Sequence, residues 1–272
     1  MDYFKLRDDY ELFLKEDLIE KPKAIVIISH GFAEHLSRYD YFTESLNQVG
    51  YGVIRYDLRG HGRNTKDLGH IKSFDDFILD LDEIYKETNK RFQEVPIFLF
   101  GHSMGGLITA IYGTKSDLKV NGIILSGPAV GKLPSAKKIN KNLIKIVCKI
   151  YDKIMIKNPI DKNLCKNEDV YFEYLKDKYV LHRASLRLYY EFLFIGTDRI
   201  LKDKGVFISP ILIVHGSEDK IVPISISKSF FNSISSIDKT FKEYNNLYHE
   251  ILNEKERDYV IKDIISWLDN RI

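Results

Sequence analysis

Apolar residues follow two rhythms along the chain. Short unbroken runs at residues 24–29 (AIVIIS), 52–56 (GVIRY), 96–100 (PIFLF), 122–126 (GIILS) and 210–214 (PILIV) have the length of strands buried on both faces. Between them, residues 39–49, 74–92 and 107–115 space their apolar side chains at helical intervals, as do residues 255–268 at the end. Strands alternating with helices predict an α/β fold, a mostly parallel central sheet covered by helices on both faces. Residues 10–15 form a weaker pattern, read as an antiparallel edge hairpin with the residues before them.

The alternation stops over residues 128–208, which carry helical patterns and no buried strand. Gly127-Pro128 and Pro210 punctuate the two ends. The expectation is a helical lid, 128–208, inserted into a core made of 1–127 and 209–272. No repeat or low-complexity tract interrupts this plan.

Chemistry concentrates where strands end. Gly101-His102-Ser103-Met104-Gly105 follows the PIFLF run and leads into a helical pattern, the strand–turn–helix setting of a G-x-S-x-G nucleophile elbow. Small residues flank the serine because the turn is too sharp for side chains there. A serine hydroxyl needs a base and an oriented acid, in the chain order Ser, acid, His on an α/β-hydrolase fold. The run PILIVHG ends in Ser217-Glu218-Asp219, so Glu218 and Asp219 both qualify as the acid. Of the histidines after Ser103, His182 falls in the lid and His215 ends a strand; His249, in a loop between a KTFKEY strand and the last helix, is the predicted base. The backbone N–H groups of Met104, after the serine, and of Phe32, after the AIVIIS run, are the predicted oxyanion donors. His30, His61 and His102 sit beside glycines and read as hydrogen-bonded structural residues. There is no H-E-x-x-H pattern or cysteine cluster for a metal and no phosphate-binding glycine fingerprint, so neither metal nor cofactor is expected.

Five segments together resemble the monoacylglycerol lipase and lysophospholipase branch of the α/β-hydrolases: SHGFAEHLSRY (29–39), YDLRGHGRN (56–64), PIFLFGHSMGG (96–106), HGSEDKIVP (215–223) and YHEILNE (248–254). The resemblance spans most of the chain. It implies Ser103 as nucleophile, His249 as base and Asp219, rather than Glu218, as acid. It also gives Glu34 and Arg38 a role in supporting the oxyanion loop or contacting the polar head of a substrate, with support favoured, and makes Asp57 and His61 architectural. HRASLRLYYEFL (182–193) is similar to the family's second lid segment. The implied activity is hydrolysis of a single-acyl-chain lipid ester through an acyl-enzyme. A short-chain esterase or peptidase, or a non-catalytic scaffold, are the rival uses of such a body.

Charge changes the picture in one place. The 41 basic and 39 acidic residues nearly cancel at +2, which argues against a nucleic-acid binder. Residues 131–157 nonetheless hold eight lysines and one acid, +7, leaving 33 basic and 38 acidic residues, −5, elsewhere. On a helical wheel Lys141, Lys145, Lys149 and Lys153 oppose Ile139, Leu143, Ile146, Val147, Ile150 and Ile154. Two expectations follow: the apolar side packs on the body, or the helix docks on an anionic membrane. The first twenty residues lack a secretory h-region, and two cysteines, Cys148 and Cys165, make no disulfide framework, so a cytoplasmic protein, peripheral at a membrane if the helix docks, is expected.

Overall fold

The computed structural model describes residues 3–137, 139–158 and 162–272; Lys138 of the basic segment and residues 159–161 of the inserted one lie outside the described residues. Eight strands make one sheet: β1 (Tyr3–Lys5), β2 (Glu11–Asp17), β3 (Ala24–Ser29), β4 (Tyr51–Tyr56), β5 (Ile97–His102), β6 (Gly122–Ser126) and, after the insertion, β9 (Ile211–Gly216) and β10 (Lys239–Tyr244). Their order is β1-β2-β4-β3-β5-β6-β9-β10, parallel except for the two antiparallel pairings made by β2. The five apolar runs are the sheet's centre, and every residue of β3, β4, β5, β6 and β9 is buried. Alternate side chains feed two cores, Ile25 and Ile27 on one face and Val26 and Ile28 on the other, as period two requires.

Helices α1 (Asp40–Gln48) and α10 (Arg257–Asp269) cover the Val26 face through Phe42, Leu46, Val260 and Ile264. Helices α2 (Phe74–Arg91) and α3 (Ser103–Tyr112) cover the other through Phe77, Leu81, Leu107 and Ile111. Ser73 and Asp76 close a capping box at the start of α2. Two expectations are corrected. The helix anticipated from Leu107 begins at Ser103 itself, because the glycines that weaken the helical pattern are buried in its first turn. A further helix, α9 (Ile224–Ser233), was not anticipated.

The inserted segment leaves the sheet after β6 and returns at β9, the neighbouring parallel strand. It contains α4 (Pro134–Lys137), α5 (Lys141–Ile150), β7 (Met155–Lys157), α6 (Glu168–Lys176), β8 (Arg183–Ser185), α7 (Leu186–Tyr190), a π-helical stretch Glu191–Gly196, and α8 (Thr197–Asp203). The β7–β8 ribbon was not anticipated, although neither strand is buried throughout; three-residue strands are too short to print a period on the sequence. One side of the insertion is stitched to the core: Leu181 N–H donates to Ala33 O (2.9 Å), Ser185 N–H to Gly69 O (2.7 Å) and Glu250 N–H to Leu164 O (2.8 Å), and His35 meets Asp177 at 2.7 Å.

Helix α5 behaves differently. It ends at Ile150, so Lys153 and Ile154 do not continue its wheel. Its buried contact is Cys148, whereas Leu143, Ile146 and Ile150 are 60%, 57% and 66% exposed. Packing of the whole apolar side on the body is therefore corrected: Leu143, Ile146 and Ile150 are turned outward, while Ile139 packs against the core and Val147 is half-buried. Among the described residues no helix is long and apolar enough to cross a membrane.

Candidate active site

The turn from β5 into α3 carries Ser103 at φ 51°, in the left-handed region that an L residue occupies only at a cost. Its glycines are obligatory: a Cβ on Gly105 would lie 2.2 Å from Ser29 O, and one on Gly101 would lie 2.4 Å from Gly105 O. Without them α3 could not approach β3 closely enough to make the turn. Met104 lies in the first turn of α3, where backbone N–H groups have no intrahelical acceptor.

The loop after β3 passes directly beside the serine, since a Cβ on Gly31 would sit 3.2 Å from Ser103 Cβ. Phe32 follows, its ring stacked on Phe192 at 5.7 Å. Glu34 anchors the loop through Oε1, which accepts from Gly31 N–H and from the Tyr39 hydroxyl. Arg38 holds the other oxygen, Nε–H donating to Glu34 Oε2 at 3.2 Å. Burial and the neighbouring Glu250 charge push the Glu34 carboxyl up to about 7.

Asp219 and His249 are brought together by the ends of β9 and β10, with His249 Nδ1 to Asp219 Oδ2 at 2.6 Å. Glu218 instead faces Lys166 at 3.3 Å on the surface. Asp219 Oδ1 accepts from Ile221 and Val222 N–H at 2.9 and 2.8 Å, and His215 Nε2 adds a bond to Oδ2 at 3.0 Å. Burial alone would raise the Asp219 carboxyl, but His249, then His215, outweigh it and hold it well below the usual carboxylate range. Burial likewise opposes charge on His249, and Asp219, followed by Glu250 and Glu34, reverses that and raises its pKa.

Ser103, His249, Phe32 and Glu34 line one cavity of about 450 Å³. Its walls are mostly apolar and come largely from the insertion. The π-helical stretch lets three consecutive residues, Phe192, Leu193 and Phe194, border the cavity. Lys157 and Lys220 also line it.

Each of the three structural histidines is hydrogen-bonded, His30 at both nitrogens, His102 at Nδ1 to Ser126 and His61 at Nδ1 to Arg59 O (3.0 Å); His61 Nε2, packed against His30, Phe32 and Phe77, has no partner among the described residues. Asp57 is architectural, accepting from Leu36 and Arg63 N–H, each at 2.7 Å. Missed in the sequence were His215 on Asp219, Glu250 on Arg38, and Glu254, whose carboxylate receives both Tyr248 N–H (2.9 Å) and Lys166 N–H. Their signal was present in the HGSED and YHEILNE segments, but not their partners.

A parallel sheet with a serine elbow and an acid–histidine pair at its C-terminal edge defines an α/β-hydrolase. The chain belongs to the hydrolase family described as Serine aminopeptidase, S33, which matches residues 20–256, and to the branch of monoacylglycerol lipases and lysophospholipases; it is an ester hydrolase. Phospholipase YtpA of Bacillus subtilis (strain 168) is 33% identical over 260 residues, 93% of this chain and 98% of its own. A monoacylglycerol lipase of Mycolicibacterium smegmatis is 29% identical over 248 residues, 91% of this chain and 88% of its own. The crystal structure of Paleococcus ferrophilus monoacylglycerol lipase aligns with a TM-score of 0.87 at 30% identity, covering 96% of this chain and all of that one (100%).

Proposed function

We propose that this ester hydrolase cleaves the carboxylic ester of a single-acyl-chain lipid, a monoacylglycerol or lysophospholipid, through an acyl-enzyme. The observation that carries the reading is a largely apolar cavity of about 450 Å³ lined by Ser103, His249 and the Gly31-Phe32 loop. Ser103 Oγ attacks the ester carbonyl while His249 Nε2 takes its proton, and Asp219 stabilises the imidazolium through Nδ1–H. The N–H groups of Phe32 and Met104 receive the oxyanion. Collapse breaks the ester C–O bond, His249 returns the proton to the departing alcohol, and water repeats the sequence to release the fatty acid.

Relatives named as a monoacylglycerol lipase and a phospholipase support this substrate class. Lys157 and Lys220 on the cavity wall favour a second reading within it, an anionic phosphate head group. One experiment separates the possibilities: turnover of monoacylglycerol, lysophospholipid, short nitrophenyl esters and aminoacyl amides, with fluorophosphonate labelling. Ser103→Ala is expected to lose labelling and at least about 10⁴-fold in turnover. A maximum at acetate or at an amide would sink the lipid reading. For the head group, Lys220→Gln raising KM for lysophospholipid alone supports phosphate, and equal effects on both lipids reject it.

The outward face of α5 supports peripheral contact with anionic lipid. Leu143, Ile146 and Ile150 offer apolar burial and Lys145 and Lys149 the charge.

A further inference from the structure

Three elements distant in sequence meet at one buried guanidinium. Arg38 Nη2–H donates to Glu250 Oε2 at 2.5 Å, its Nε–H donates to Glu34, and its guanidinium lies 4.5 Å from the ring of Tyr174 on α6. The side chains of Arg38, Glu34 and Glu250 are 9%, 4% and 5% exposed. Asn253 Nδ2–H also donates to Glu250, at 2.8 Å. Glu34 fixes the Gly31 N–H of the oxyanion loop, and Glu250 is the chain neighbour of His249. Two buried carboxyl groups thus share one guanidinium beside the histidine.

The arrangement answers a positional problem. The oxyanion loop follows β3 and the histidine loop follows β10, and three strands, β5, β6 and β9, stand between those two in the sheet. Small differences in strand spacing and twist accumulate across such a distance, and a misplacement of about 1 Å can cost about 10²-fold in rate. The Glu34–Arg38–Glu250 bridge spans the gap directly. We propose that Glu250 is a positioning residue: through Arg38 it keeps the loop carrying His249 in register with the oxyanion loop, and its charge favours the imidazolium formed during acyl transfer. The inference rests on the reading of His249 as base.

The charged and titratable groups around His249 are Asp219 on its Nδ1, the His102 ring tilted against it at 4.7 Å, Glu250 and Glu34 from the bridge, Arg38 between them, and His215 through Asp219. Glu250→Gln keeps the shape and removes the charge. On a soluble ester it is expected to lower kcat roughly 10- to 100-fold, with KM changed less than about threefold, and to move the acid limb of kcat to lower pH. Arg38→Lys, which keeps the charge but loses the fork, is expected to lower kcat similarly without moving that limb, and it decides the matter if Glu250→Gln does not fold. Wild-type kcat, an unmoved limb in Glu250→Gln, or a loss expressed in KM alone would overturn the proposal. His249→Ala keeps the two readings apart. Should it retain activity, the base assignment has failed; should it be inactive while Glu250→Gln behaves as wild type, only the bridge has failed.

Discussion

Asp219 spends both carboxylate oxygens on four donors, two backbone N–H groups and two imidazoles, and this fixes which way His249 can be protonated. With Nδ1 committed as a donor to the carboxylate, Nε2 is the nitrogen free to accept. As the proposed base, His249 acts only when neutral, and its pKa is raised above the ordinary 6.5, by the Asp219 interaction outweighing burial. Protonation below that raised value removes the base. The acid limb of kcat/KM is therefore expected with its midpoint above about 6.5, and a pH–rate profile placing it lower would contradict the assignment. The serine was legible because a left-handed turn between packed backbone demands glycines in a fixed pattern, and a pattern survives in sequence. Glu250 was not, because its partner Arg38 lies 212 residues away and one glutamate in a loop looks like any other.

At the level of elements, strands were easier to read than helices. A strand buried on both faces is simply an apolar run, and β3 and β6 lie at the residues expected. Helix α3 started four residues early because its first turn is built for the serine, and α5 stopped early because residues 155–157 pair with 183–185 instead. Two of the four lysines first singled out are engaged elsewhere: Lys153, now beyond the helix, is tied to Asp67 at 2.7 Å, and Lys141 is paired with Asp198. Lys145 and Lys149 remain on the open face, and the test narrows accordingly. Lys145→Glu with Lys149→Glu, and separately Ile146→Asn with Ile150→Asn, are each expected to lower co-sedimentation with anionic vesicles about tenfold or more. Two charge contacts at about 1 kcal/mol each, or two apolar side chains at about 1.5–3 kcal/mol each, suffice for that. Unchanged binding by both pairs would leave α5 without a lipid partner.

Across the whole molecule the near-neutral total hides an uneven distribution, +7 in residues 131–157 against −5 in the remainder. If that asymmetry orients the protein at a lipid surface, salt must separate two activities. Turnover of lipid in anionic vesicles is expected to fall several-fold between low and about 0.5 M salt as exposed charges are screened, while turnover of a soluble nitrophenyl ester stays level. Parallel decline of both would locate the salt effect elsewhere. The sequence showed where the sheet is interrupted, but not how the interruption is fastened, since its seam consists of backbone groups that leave no mark on side-chain pattern. That seam has an evolutionary consequence. The insertion starts and ends on adjacent strands roughly 5 Å apart, so exchanging it between relatives leaves the sheet's topology intact. Yet residues 164 and 166 are bonded to the backbone of Glu250 and the carboxylate of Glu254. To keep those bonds, an exchanged segment has to match the loop that holds His249.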